Sequence, residues 1–269
     1  MTGVVPASLR LYELYRSQTG FPVPSSSGLT VFCDFDGPII DVSERYYSTY
    51  QLGLADTQAT YQAQGKTLPI QLLSKEQFWQ MKQDRVPDVE IAMRSGLGQQ
   101  EQIDVFLQRV GQIVNQPTLL QKDRLQPGVR WALTLLHTKG IRLVLVTLRC
   151  QNQATQILQE YGLLDLFSGV YGTDNDQAAY QNYADCKTQL LAKAAAEHGL
   201  NGELAQTAWM IGDTEADIVA GQALEIPTIA LTCGIRSRRY VERLQPTCIL
   251  GDLVSAVQHV VTCYHLVQA

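Results

Sequence analysis

The chain has 269 residues, enough to bury a full core and to form one large α/β domain with or without a smaller companion. Hydrophobic residues make up 45%, charged residues 17%, and the formal net charge is -5, an ordinary globular composition with no basic run to track a nucleic-acid backbone. No apolar stretch is long enough to span a bilayer, and the six cysteines form no C-x-x-C pair, which disfavours a zinc or disulfide framework.

The first segment, MTGVVPASLRLYELYRSQ, lacks a basic start followed by a continuous apolar stretch, so no secretory leader is expected and a cytoplasmic address is the simplest reading. Residues 1–24 hold one expected helix, and PVPSSSG reads as a linker. LTVFCDF is the first expected strand. From Asp41 to about Leu125 the strand signals vanish, and SERYYSTYQLGL, KEQFWQMKQ, VEIAMRS and QEQIDVFLQRVGQIVN read as amphipathic helices. Asp41 and Glu44 fit a capping arrangement at the first of them.

After Pro127 the rhythm becomes strand then helix. IRLVLVT forms a strand ending at Thr147, and further strands are expected at Gly169–Tyr171, Ala208–Ile211, Thr228–Leu231 and Cys248–Leu250. Helical segments such as QNQATQILQEYG, KTQLLAKAAAEHG and ADIVAGQAL separate them. The expected fold is therefore α/β, a Rossmann-like parallel sheet with helices on both faces plus an inserted all-helical domain. The predicted division is 1–28 for the extension and linker, 29–41 with 126–269 for the core, and 42–125 for the insert.

Two acidic pairs stand at predicted strand ends, where open parallel sheets bind ligands. VFCDFDGP carries Asp34 and Asp36, whose alternation would crowd two carboxylates together unless a cation intervenes. Such fragments also occur as solvated turns. WMIGDTEAD carries Asp213 and Asp217, one helical turn apart, with Gly212 free to bend the backbone sharply; Asp213 could equally be a helix N-cap. Thr147 offers a hydroxyl and Leu148 an amide to a phosphate oxygen, although a threonine also ends strands without a ligand. Lys187 sits where a helix dipole disfavours a cation, which suits an anionic neighbour, or else it is a surface lysine.

In this order, Asp34-Phe35-Asp36-Gly37, Thr147, Lys187 and Gly212-Asp213-Thr214-Glu215-Ala216-Asp217 resemble the four motifs of the haloacid-dehalogenase-like superfamily, from about residue 29 onward. The resemblance implies that Asp34 is a nucleophile forming an aspartyl-phosphate and that Asp36 is the general acid and base. It further implies that Mg²⁺ is held by Asp34, the Asp36 backbone carbonyl and Asp213 with Asp217 in support, and that Thr147 and Lys187 bind phosphate. The implied partner is a small phosphorylated metabolite, with neither nucleic acid nor membrane, and no signal sets an oligomeric state.

Asp36 favours phosphate-ester over carbon–halogen chemistry, because an alkoxide leaving group needs a proton and a halide does not. The insert resembles the helical cap of phosphoglycolate-phosphatase-like members. Within it Arg45, Lys75, Lys82, Arg85 and Arg94 are candidates for a second substrate anion, most of them expected to be solvated helix charges; Arg149, or a surface cap of the next helix, is another. Arg236, Tyr46 and Tyr47 could also border the site. Pro38 departs from the family's usual Thr or Val and is expected to alter the hinge slightly. A sugar phosphomutase on the same scaffold and a non-catalytic binding member are the alternatives.

Overall fold

A computed structural model describes residues 28–175, 178–200 and 207–268, with side chains through 263. The expected N-terminal helix and most of its linker lie outside the described residues. Eight strands are present among them: β1 (Thr30–Cys33), β2 (Ile40–Asp41), β3 (Arg124–Leu125), β4 (Arg142–Cys150), β5 (Gly169–Thr173), β6 (Ala208–Gly212), β7 (Thr228–Leu231) and β8 (Cys248–Leu250). Six of them form a parallel sheet in the order β5-β4-β1-β6-β7-β8.

Continuous apolar runs fill this sheet because both faces are covered. On one face Phe32, Val144, Val146 and Met210 pack against Leu191, Ala194 and Ala220. On the other, Val31, Cys33, Leu145 and Ile211 pack with Leu133, Leu136, Val257 and Val260. Alternate residues of one strand thus serve opposite helix layers.

Twelve helices are described: α1 (Ser43–Gln62), α2 (Lys75–Gln83), α3 (Asp88–Arg94), α4 (Gln100–Ile113), α5 (Pro117–Leu120), α6 (Val129–Thr138), α7 (Gln151–Glu160), α8 (Ala178–Gln181), α9 (Ala184–Glu197), α10 (Glu215–Ala223), α11 (Arg238–Glu242) and α12 (Leu253–Gln268). None is long and apolar enough to cross a membrane. Helices α1 to α5 all lie between β2 and β3, an antiparallel pair that sets the way into the insert beside the way out, with Asp41 opposite Arg124. Their shared interior is Tyr50, Leu54, Phe78, Ile91, Phe106 and Val110.

Two local expectations change. Strand β4 does not stop at Thr147 but runs on to Cys150, with an irregularity after Val146 where its partner β5 resumes contact at Thr173. Asp41 accepts the Ser43 amide at 2.8 Å, yet Glu44 turns away to Lys75 at 2.7 Å, so no reciprocal box forms at the head of α1. Pairing with a lysine across the insert satisfies Glu44 better than one backbone amide.

The central strand sets the stage for chemistry. β1 lies between β4 and β6, Cys33 being level with Leu145 and Ile211, so three chain segments leave the sheet at one edge. Successive connections depart in opposite directions there, which opens a crevice at the carboxyl ends of the strands.

Candidate active site

Asp34 is the first residue past β1, and its amide still donates to the Ile211 carbonyl at 2.9 Å, which fixes the carboxylate over the sheet edge. Asp213 follows β6 on the adjacent strand. Thr214 is the N-cap of α10 and forms a reciprocal capping box with Asp217, whose Oδ2 accepts the Thr214 amide at 3.0 Å and hydroxyl at 2.8 Å. The N-cap is therefore Thr214 rather than Asp213. Asp213 Oδ2 instead accepts the Ile235 amide at 2.6 Å from the loop after β7.

Oxygens of Asp34, Asp213 and Asp217 all lie within 4.8 Å of one another. Lys187, 1% exposed in the first turn of α9, reaches them from the side. Its Nζ donates to Asp34 Oδ1 at 2.7 Å and forms an ion pair of the same length with Asp217 Oδ1. A surface lysine is excluded by this placement.

Glycines make the approach possible. A Cβ on Gly37, whose φ is +98, would stand 2.3 Å from the Asp213 carboxylate, and one on Gly234 would stand 1.9 Å from it. Gly212 has no left-handed backbone; a Cβ there would meet Asp217 at 2.2 Å, so the glycine supplies room rather than the sharp bend expected of it. Pro38 follows Gly37 in a turn whose amides come from Gly37, Ile39 and Ile40, so its missing N–H disturbs no bond of that turn.

Three buried carboxylates face one ammonium, and their protonation reflects the imbalance. Burial, then the charge of Asp217, pushes Asp34 up to about 7 against the pull of Lys187. Burial and the charges of Asp217 and Asp34 push Asp213 well above the usual carboxylate range. Burial opposes charge on Lys187, but Asp217 and Asp34 outweigh it and hold the ammonium above its ordinary value. Asp213 Oδ1 is buried without a hydrogen-bond partner. An all-oxygen set, short of positive charge and holding an orphaned buried acceptor, fits a hard divalent cation.

The Asp36 carboxylate points elsewhere. It lies 3.2 Å from Arg45 Nη2 and 2.8 Å from Arg149 Nη2. Both arginines also reach Asp123, Arg45 Nε at 2.9 Å and Arg149 Nη2 at 2.6 Å. Arg149, which could have been a surface cap, is 3% exposed and rests over the Phe35 ring at 5.4 Å. Thr147 is buried and its hydroxyl accepts the Arg149 amide at 3.1 Å, which curls the end of β4 around the cleft.

The cleft is lined by Asp34, Asp36, Thr147, Leu148, Lys187 and Asp213 from the core and by Tyr46, Lys82 and Arg85 from the insert. Lys82 pairs with Asp88 at 2.8 Å and lies 5.0 Å from the centre of the Tyr180 ring, whose hydroxyl also donates to Asp88 at 2.6 Å. The insert is seated on the core: the Ser237 amide donates to the Gln83 carbonyl at 2.9 Å, and Arg236 bonds Glu215 and the Lys82 carbonyl. Arg85 joins the same Glu215 at 2.9 Å.

Of the five insert cations, Lys82 and Arg85 line the cleft and Arg45 reaches Asp36 behind it; Lys75 and Arg94 pair with Glu44 and Glu90 outside it. Tyr47 packs on Tyr50 and Phe78 inside the insert, away from the cleft, while Tyr46 lines it. Sequence reasoning missed Asp123, Tyr180 and Asn182, although Tyr180 and Asn182 line the cleft. Asp123 sits in the polar run QKDRLQ with no motif to mark it, and only its burial, 6% exposed, sets it apart from its neighbours.

The family model described as haloacid dehalogenase-like hydrolase matches residues 31–231. A phosphoglycolate phosphatase of Psychrobacter arcticus is 33% identical over 51% of this chain and 56% of its own length. One of Aliivibrio fischeri is 31% identical over 49% and 55%. The chain thus spans about half the length of the curated relatives it matches. Among solved structures, a protein of Clostridium acetobutylicum described as a predicted phosphatase superposes with a TM-score of 0.62 at 17% identity, covering 87% of this chain and 98% of that one, a likeness of fold.

Proposed function

The chain belongs to the haloacid dehalogenase-like hydrolase family, and on that premise we propose that it is a Mg²⁺-dependent phosphatase of a small phosphorylated metabolite. The observation that carries this reading is the meeting of Asp34, Asp213, Asp217 and Lys187 at one sheet edge, with Asp36 beside them.

In this reading a carboxylate oxygen of Asp34 forms a bond to phosphorus while the bond from phosphorus to the alcohol oxygen breaks. Asp36 gives its proton to that departing oxygen. A water molecule then attacks the phosphoaspartate, its proton passes to Asp36, and the Asp34 carboxylate is released with inorganic phosphate. Lys187, the Thr147 hydroxyl and the Leu148 amide hold the phosphoryl oxygens. Asp34, Asp213 and the Asp36 main-chain carbonyl would hold Mg²⁺, with Asp217 behind them, and the ion would offset the charge that gathers on the phosphoryl group.

Two features support the substrate class. The seated helical insert, acting as a cap, sets Tyr46, Lys82 and Arg85 over the cleft, which suits a small molecule. The names of the curated relatives point to a phosphorylated small acid. Six free cysteines fit a reducing, cytoplasmic setting.

The test is phosphate release from a panel of monophosphates with Mg²⁺ by wild type and Asp34→Asn. Wild-type turnover that falls by at least about 10³-fold in the variant is expected. Retained turnover in Asp34→Asn, or an isomerised product in place of free phosphate, would overturn the reading.

A further inference from the structure

Resting on the phosphatase reading, we infer that Arg45, Asp123 and Arg149 are positioning residues that aim the Asp36 carboxylate at the leaving group. The four side chains form a closed ring. Asp36 Oδ2 meets Arg45 at 3.2 Å, Arg45 Nε meets Asp123 Oδ1 at 2.9 Å, Asp123 Oδ2 meets Arg149 at 2.6 Å, and Arg149 returns to Asp36 Oδ1 at 2.8 Å. Arg45 Nη1 is tied further to Asn115 Oδ1 at 3.1 Å.

Exposure separates one member from the rest. The side chains of Arg45, Asp123 and Arg149 are 2%, 4% and 3% exposed, whereas that of Asp36 is 17% exposed and lines the cleft. Arg45 and Asp123 stand behind the cleft, whereas Asp36 and the largely buried Arg149 border it. Burying three charges is no route to stability, since well-packed apolar residues of similar volume serve a core as well or better. Arg149 supports the same conclusion: both carboxylates bear on its Nη2, while its buried Nε and Nη1 bond nothing. A guanidinium placed for its own satisfaction would use more of its donors. Its position is dictated by where the two carboxylates must stand.

The members come from four places in the chain: the turn after β1, the first turn of α1, the link just before β3, and the end of β4. The ring therefore closes only when both ends of the insert are seated against the core. Asp36 then accepts a hydrogen bond on Oδ2 from the insert's Arg45 and stands in an ion pair through Oδ1 with the sheet's Arg149.

Protonation of the leaving oxygen matters greatly for an alkyl phosphate and little for 4-nitrophenyl phosphate, whose phenolate departs without a proton. The experiment compares kcat/KM with Mg²⁺ on 4-nitrophenyl phosphate and on whichever of phosphoglycolate, glycerol 3-phosphate and ribose 5-phosphate wild type cleaves fastest. Asp123→Asn is expected to lose at least about 30-fold on the alkyl phosphate and less than about threefold on the aryl one, the pattern also expected of Asp36→Asn. Arg149→Lys, which keeps the charge but loses the planar fork, is expected to show the same selectivity and decides the matter if Asp123→Asn does not fold. Equal losses on both substrates, or no loss on either, would overturn the inference and leave the ring a structural feature. Absence of wild-type turnover on every substrate would instead overturn the phosphatase reading itself.

Discussion

Two clusters of four ionisable groups lie side by side in this protein, all but Asp36 buried, and their charges do not add up alike. At the sheet edge, Asp34, Asp213 and Asp217 face Lys187 alone, three carboxylates to one cation. At the root of the insert, Asp36 and Asp123 face Arg45 and Arg149, two to two. The first cluster is unbalanced in charge; the second closes on itself. The difference separates two uses of buried charge. An unbalanced cluster is poised to take up a cation, whereas a balanced ring fixes geometry.

Removing one carboxylate should therefore have opposite effects in the two places. Asp123→Ala leaves two buried guanidiniums competing for Asp36 and is expected to cost about 3–5 kcal/mol in urea unfolding. Asp213→Asn relieves repulsion among Asp34, Asp213 and Asp217, so the metal-free variant is expected to be at least as stable as wild type. A loss of similar size in both variants would erase the distinction.

Added Mg²⁺ should act on only one cluster. At about a hundredfold excess over its dissociation constant the ion is expected to stabilise wild type by about 2.7 kcal/mol, seen as a rise in Tm. Asp213→Asn should lose that rise. Asp123→Asn should keep most of it, because the ring contributes no side chain to the acidic cluster.

The smallest effect expected is a pH trend in the metal-free protein. The folded pKa of Asp34 is raised to about 7 from an ordinary 3.8. Folding therefore takes up a proton between those values, and the stability linked to it is complete below about pH 4 and lost as pH rises through about 7. Asp213, also raised, acts in the same direction. Tm of wild type without metal should fall from pH 5 to pH 8 relative to Asp34→Asn, and the stabilisation by Mg²⁺ should grow over the same range. A flat difference between the two proteins would show that the carboxylates of the unbalanced cluster titrate normally.

The acidic cluster was largely legible in the sequence because every member stands at a strand end or in the first turn of a helix. VFCDFDGP and WMIGDTEAD announce strands by their apolar runs, and parallel pairing then brings residues that follow those strands to one edge. The ring was not legible. Asp36, Arg45 and Arg149 are each candidates in the sequence, but Arg45 and Asp123 are 78 residues apart and no periodicity links them. Nor did the spacing of QKDRLQ separate the buried Asp123 from the half-buried Lys122 and exposed Arg124 beside it.

By itself the sequence determined the alternation of strands and helices, the helical insert, and the order of the acidic and basic residues along the chain, since these depend on local periodicity and on the apolar faces that must be buried. Only the tertiary structure decided that Asp36 turns to two arginines instead of joining the acidic cluster, that Thr147 sits inside a longer strand, and that Gly212 makes room for Asp217. Contacts of this kind depend on which surfaces meet when the insert folds back on the sheet, and burial then decides which charges must find a partner.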